Sequence, residues 1–446
     1  MIELNFDSYF IKWTESYDKM ELYSRLLEWQ SDIFISFDPG IVGFNSIDNL
    51  QLLYSSSETI NNTELISVRP LDHTMGESLD EYVMQKLPIQ IIKDILVYGG
   101  KIRIMNIYPA HFEKVSNFLE LNNFTKIEFE HNPIPKKYNF MRPDYYINNE
   151  KTELLVLVTP GKDYLVHYAS LINHAVAFYT TNPQKHIEVT RFPFVEYSLP
   201  FWTHLGRKFI SPDEVVVIGY VNELLTYMET QNHTVIYSYE NEYYSVNKVK
   251  IGNKVISLLG VKFSFWGNIA ARIAYHCSLL GISELIYFGK LGTLEDSSKI
   301  YSKIYSPSRF CIFYHEKLLA LIDHLPNGIH ELQPELDTGT HVSVPSILEE
   351  DYIQREIIGG LDITSIDNEI SQVAYAIAKF NQNYHRNVKY SCLHFATDYL
   401  RQLDKRNVET PHDLSNNRSS TAVQKKQAMI ANIAKILYSY FQKAYV

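Results

Sequence analysis

Apolar and polar positions change their pattern near residues 150 and 210. Leu22, Leu26, Leu27 and Ile33 fall on a helical period, so residues 1–40 read as helical. Short apolar runs at 51–54 and 65–68 read as strands, and 80–97 as a helix broken or bent at Pro88. Gly99-Gly100 marks a turn, 101–108 a strand, 111–121 a helix and 126–130 a further strand. The segment 132–152 is rich in Pro, Asn and Lys and reads as a boundary or long loop. Residues 1–150 are thus expected to form an α+β domain, whose role the sequence leaves open. Residues 151–210 read as a connector or accessory segment, with a strand at 153–158 and a helix or buried strand at 171–179. Its aromatic stripe, Phe192, Phe194, Tyr197, Phe201 and Trp202, reads as packing between domains.

From residue 211 onward strands and helices alternate. Strands are expected at 214–218, ending at Gly219, and at 234–237, 254–259, 285–288, 310–313, 343–344 and 389–392. Helices are expected at 223–229, 268–280 and 367–380. A final amphipathic helix starts near 421, with Met429, Ile433, Leu437 and Tyr440 on one stripe and Ser419 or Ser420 as its cap. This order predicts an α/β domain over 211–446, with a mostly parallel or mixed central sheet covered on both faces.

The 446 residues carry a net charge of −10, which argues against nucleic acid or an anionic membrane as partner. Cys277, Cys311 and Cys392 have no metal-type spacing and read as buried thiols of a reducing compartment. No basic and apolar leader opens the chain, and no apolar run approaches the ~20 residues of a membrane span. A cytoplasmic protein without a cofactor is therefore expected. GxSxG, HExxH, a phosphate-loop GKS/T and paired CxxC are all absent.

The segment ISELIYFGKLGTLE, 282–295, carries the strongest chemical signal. An apolar strand enters Gly289-Lys290-Leu291-Gly292-Thr293, and two glycines three apart at a strand end form a turn that lets backbone approach a ligand. Three further features accompany it in order: EVVVIGYVNELL at 214–225, Trp266-Gly267-Asn268-Ile269-Ala270-Ala271, and Asp367-Asn368-Glu369 with His394-Phe395-Ala396-Thr397-Asp398 after a later strand. Together they resemble the nucleoside phosphorylase and nucleosidase superfamily over about 235 residues, from Pro212 to the C-terminus. The resemblance implies a three-layer α/β/α domain with a mixed central sheet that breaks N-glycosidic bonds of purine nucleosides or nucleotides. It places Glu369 beneath the sugar and Asp398 facing the departing base as proton donor, with Thr397 and Asn368 beside them. It makes Gly219, Gly289, Lys290, Gly292 and Thr293 the lining of the sugar or phosphate side. It also implies a homo-oligomer.

The sequence departs from the family at the phosphate site. No arginine follows Gly219, Tyr287 stands where phosphorylases place arginine, and Lys290 stands where Ser or Thr binds phosphate. A lysine holds phosphate as a point charge, with less geometric definition than arginine. Hydrolysis is therefore favoured over transfer to inorganic phosphate, with Glu223 as activator of water. The simpler readings are a solvated Glu223, a surface Lys290, a Glu369 held by the helix dipole and an Asp398 acting as a cap. His341 and His394 read as hydrogen-bonded structural residues. The alternative function is a catalytically altered domain that serves as a nucleotide-binding sensor or interaction module.

Overall fold

A computed structural model describes residues 57–66, 73–74, 77–107, 119–120, 123–128, 142–193, 196, 199–314, 317–349, 358, 362–399 and 420–446. The expected elements at 1–40 and 51–54, and most of the helix at 111–121, lie outside the described residues.

The first sheet has six strands: β1 (Glu58–Thr59), β4 (Lys101–Asn106), β5 (Phe124–Ile127), β6 (Asp144–Asn148), β7 (Glu153–Val158) and β8 (Ile187–Arg191), in the order β1-β8-β4-β7-β6-β5. A two-stranded ribbon, β2 (His73–Thr74) with β3 (Glu77–Ser78), leads into its helices. These are α1 (Leu79–Lys86), α2 (Ile89–Val97) and α3 (Lys162–Ala177), and the break at Pro88 stands where the sequence puts it. The expected boundary at 150 falls inside this sheet, because β7 pairs with β4 and β6 and β8 closes onto β4. Composition pointed to a loop at 132–152, yet Asp144–Asn148 is a strand: its tyrosines, Tyr145 and Tyr146, are buried side chains of the sheet. Leu65 and Ile66 are buried in loop rather than in the expected strand.

The second sheet has eleven strands. They are β9 (Val215–Gly219), β10 (Val235–Glu240), β11 (Tyr244–Ile251), β12 (Lys254–Val261), β13 (Glu284–Thr293), β14 (Ile304–Tyr305), β15 (Arg309–Tyr314), β16 (Lys317–Ile322), β17 (Thr340–Ser343), β18 (Ile363–Asp367) and β19 (Lys389–Tyr399). The main path is β10-β11-β12-β9-β13-β18-β17-β15-β16, with β19 pairing β13 and β14. The sheet is mixed: β12, β9, β13 and β19 run parallel, while β18 meets β13 antiparallel. A short helix, α4 (Leu199–Trp202), precedes it. Valines and isoleucines of β9 and β13 are buried on both faces, as a doubly covered sheet requires. One face packs α6 (Asn268–Leu279) and α8 (Ile370–Tyr384); the other packs α5 (Val221–Thr230) and α9 (Ser420–Tyr445), with a short α7 (Gly328–Leu332) beside it. The expected three-layer arrangement is therefore the one observed.

Met429, Ile433, Leu437 and Tyr440 are buried as the stripe on α9 predicts. The end of α9 is fixed by a buried carboxylate. Tyr440 and Tyr445 donate to Glu284 Oε2 at 2.6 and 2.8 Å, and Ser391 donates to Oε1 at 2.7 Å.

Gly219 closes β9 against β13. Its φ is +100°, and an added Cβ would stand 1.9 Å from the Phe288 carbonyl oxygen. Gly219→Ala is expected to destabilise the chain by about 3 kcal/mol or more, read as a shift of the chemical-denaturation midpoint.

The two sheets are joined through polar groups at the start of α3. Asp163 accepts from the Asn268 amide at 2.9 Å, Asn268 Nδ2 donates to Glu196 at 3.0 Å, and Arg191 binds Glu196 in a two-pronged pair at 2.8 and 2.9 Å. Ser346 and His167 share a 2.7 Å hydrogen bond, and Arg142 donates to Ser264 at 2.9 Å. Burial, helped by Glu196, pushes the Asp163 carboxyl up to about 6, against the pull of the Asn268 amide. Its proton is held more tightly in the folded chain than in the unfolded one. The contribution to folding is thus complete below pH 3.8 and lost as pH rises through about 6. Lowering the pH from 7 to 5 should increase the stability difference between wild type and Asp163→Asn by roughly 1.4 kcal/mol.

Candidate functional site

The strand β13 does not stop at Gly289. It continues to Thr293, with β19 on one flank and first β9, then β18, on the other. The expected turn at 289–293 is therefore strand. The reason is contact on its faces: a Cβ at Gly289 would meet His394 Nε2 at 2.6 Å, and one at Gly292 would meet Asp398 Oδ2 at 2.8 Å. Glycine serves here to admit neighbouring side chains, and flanking pairing overrides its turn preference. For the same reason His394 to Asp398 lie within β19 instead of after a strand.

Asp398 approaches this stretch from the β19 side, opposite Gly292, and accepts from the Thr397 hydroxyl at 2.5 Å. Glu369 approaches from the β18 side. Gly292 pairs with Ile366, and the chain then runs antiparallel to β13 through Asp367 and Asn368 to Glu369. Glu369, just past the end of β18, thus lies within electrostatic reach of Tyr287 and Lys290, while Asp398 lies opposite Gly292 on β19.

Glu369 stands at the N-cap of α8, but its side chain makes no capping bond. Asp367 does that work: both its oxygens accept from the Ile370 amide, at 3.1 and 3.0 Å, while Ser343 Oγ accepts from the Ser371 amide at 2.8 Å. The helix-dipole role therefore belongs to Asp367, and the Glu369 carboxyl is instead hydrogen-bonded to Asp367. Asp367 is further bound by His341 Nε2 at 2.8 Å and by the Ser343 hydroxyl at 2.6 Å. The other ring nitrogen of His341 pairs with Ser365 Oγ at 2.8 Å.

Burial would raise the Asp367 carboxyl, but His341 and Ser343 outweigh it and hold it below the usual range. Burial, and then the Asp367 carboxylate beside it, push Glu369 well above the usual range, while Lys290 pulls it back. The two shifts run in opposite directions, favouring the proton on Glu369 over Asp367, as for adjacent carboxyls in unequal surroundings. His394 is fully buried, stacks edge-on against Tyr287 at 4.6 Å, and has no hydrogen-bond partner on either ring nitrogen among the described residues. Burial brings it down to about 3, so it is neutral.

The remaining expected residues take varied places. Lys290 is exposed and within electrostatic reach of Glu369. Asn368 donates to the Val344 carbonyl at 2.8 Å. Thr293 is buried, with its hydroxyl 2.6 Å from that of Tyr305. Glu223 is exposed in the first turn of α5, within reach of Lys426 and Tyr220.

No family model matches the sequence. The chain is 29% identical over 397 residues to the protein named oxidoreductase cns1 of Cordyceps militaris, covering 83% of this chain. The match takes in 49% of that protein, so the chain spans about half the length of this curated relative. Among solved structures, it is similar to an MTA/SAH nucleosidase at 17% identity, covering 52% of this chain and 95% of that one, with a TM-score of 0.38. It is also similar to a futalosine hydrolase mutant of Helicobacter pylori strain 26695, at 13% identity, 52% and 99% coverage and a TM-score of 0.37. A third is the 5'-methylthioadenosine nucleosidase of Arabidopsis thaliana, at 13% identity, 52% and 95% coverage and a TM-score of 0.36.

Three neighbours of these residues carry no site role in the sequence reading. Asp367 and His341 form the support beneath Glu369; the Asp-x-Glu spacing before a helix was the available signal. Lys426, on α9, approaches Lys290 and Glu223. Nothing local distinguishes it from the neighbouring Lys425.

Proposed function

We propose that the C-terminal domain cleaves the N-glycosidic bond of a purine nucleoside or nucleotide, with water as nucleophile. The observation that supports this most is the placement of Glu369 within electrostatic reach of Lys290 and of Asp398 opposite Gly292. In this reading the protonated Glu369 donates to a ribose hydroxyl. Asp398 delivers a proton or hydrogen bond to the departing base, and Glu223 activates water. Asp367, held ionised behind Glu369, supplies negative potential as positive charge develops on the sugar. Asn368, Thr397, Gly219, Gly289, Lys290, Gly292 and Thr293 shape the surrounding wall.

Water is favoured over inorganic phosphate because Tyr287 is buried against His394 and Phe265, and no arginine follows Gly219. The Cordyceps relative is named an oxidoreductase, and the match takes in about half of it, so its chemistry is not carried over to this chain. The sequence contains no G-x-G pair, the centre of the dinucleotide fingerprint. The test is release of free base from a nucleoside and nucleotide panel, with and without phosphate. Free sugar or sugar phosphate ester as co-product in phosphate-free buffer supports hydrolysis; base release that requires phosphate contradicts it.

A further inference from the structure

The even-numbered side chains of β13 face α5 and α9, as burial of Ile286 and Phe288 in that layer shows. Lys290 continues this face, and its neighbour across the ladder is Phe395. The Tyr220 ring lies 5.9 Å from Phe395 at 30°, and Tyr301 lies 5.8 Å from it at 37°. Lys426 Nζ stands 5.5 Å from the centre of the Tyr220 ring. Lys426 thus overlooks this aromatic floor, with Lys290 within electrostatic reach of it, at the end of β9 where α5 begins. Among the described residues neither lysine forms an ion pair, although Glu223 is near Lys426.

We propose that Lys290 and Lys426 form an anion subsite for the phosphate monoester of the substrate, so that the domain acts on a nucleoside monophosphate in preference to the free nucleoside. This deepens the glycosidic-cleavage reading and rests on it for the identity of the sugar and base. Three features favour an anion. Like charges placed together, with Glu369 and Glu223 in reach but in no ion pair among the described residues, gain from a dianion between them. The first-turn amides of α5 add a favourable dipole end on the same side. The Tyr220 hydroxyl is kept protonated by burial and by Glu223, so it can donate to a phosphate oxygen. Burial, and then Lys290, lower the affinity of Lys426 for its proton, a cost that a bound phosphate would relieve. Two lysines on flexible stems suit a mobile monoester, which needs charge more than a fixed fork. The same chemistry could be supplied by free phosphate, and the experiment separates the two sources.

The test is calorimetric binding of adenosine 5′-monophosphate, adenosine and inorganic phosphate to the full chain, repeated with guanosine and its monophosphate. The monophosphates should bind at least about tenfold tighter than the nucleosides, with a ratio that falls as salt rises. Lys426→Ala should bring that ratio near one. Lys425→Ala removes the same charge one residue away and should leave the ratio intact. Equal affinity of nucleotide and nucleoside, or an unchanged ratio in Lys426→Ala, overturns the proposal. Base release that depends on inorganic phosphate, with that dependence lost in Lys426→Ala, assigns the subsite to free phosphate and also overturns it. Nucleotide preference without any base release supports the subsite and rejects the glycosidic reading.

Discussion

Glu369→Ala is expected to lower kcat/KM for base release by about a thousandfold, while Glu369→Gln lowers it by only about tenfold. The difference follows from the proton. Asp367 is committed to His341, Ser343 and the Ile370 amide and stays ionised. Glu369 beside it is held well above the usual carboxyl range by burial and by that charge. That upward shift favours the carboxylic acid form, which glutamine imitates as a donor and alanine does not. Activity should also decline as pH rises through the raised value, because a second negative charge then forms next to Asp367. Equal losses in the Gln and Ala variants, measured with initial rates at saturating and limiting substrate, would show that the charge and not the donor matters. Neither change should disturb the cap of α8, since Asp367 and Ser343 supply it.

Asp398→Asn is expected to reduce kcat by roughly 100- to 1,000-fold on ordinary purine substrates, the range for loss of a positioned general acid. The decisive comparison uses a substrate whose base needs no proton. In 7-methylguanosine the imidazole ring already carries positive charge, so the deficit of Asp398→Asn should shrink to within about tenfold. A deficit equal on both substrates assigns Asp398 to positioning and removes it as the acid. Asparagine is a suitable replacement because the carboxyl packs closely on Gly292, where a larger group has no room.

Much of the architecture was legible where hydrophobic pattern and packing agree. The strands at Val215–Gly219 and Lys254–Val261, the helix at Asn268–Leu279 and the stripe on α9 all stand close to where periodicity puts them. Local chemistry misled where tertiary pairing decides. Gly289 and Gly292 read as a turn, but β19 pairs with both, and β18 with Gly292, holding them extended. Segment 132–152 read as a linker by composition, while Asp144–Asn148 pairs inside a sheet. Tyr244–Ile251 was not singled out, although it bridges β10 and β12. Motif order singles out Glu369 and Asp398, but the hydrogen bonds from His341 to Asp367 beside Glu369 require β17 and β18 brought side by side. The position of Lys426 depends on how a 26-residue helix docks, which no short window of sequence encodes.

The account requires one cleft over residues 289–292 that receives sugar from the β18 side and base from the β19 side. A crystal structure of the chain with a non-hydrolysable purine nucleoside analogue tests this directly. The expected result is ribose within hydrogen-bonding distance of Glu369 and the purine imidazole edge at Asp398. An analogue bound elsewhere, or Glu369 and Asp398 opening onto separate surfaces, would contradict it.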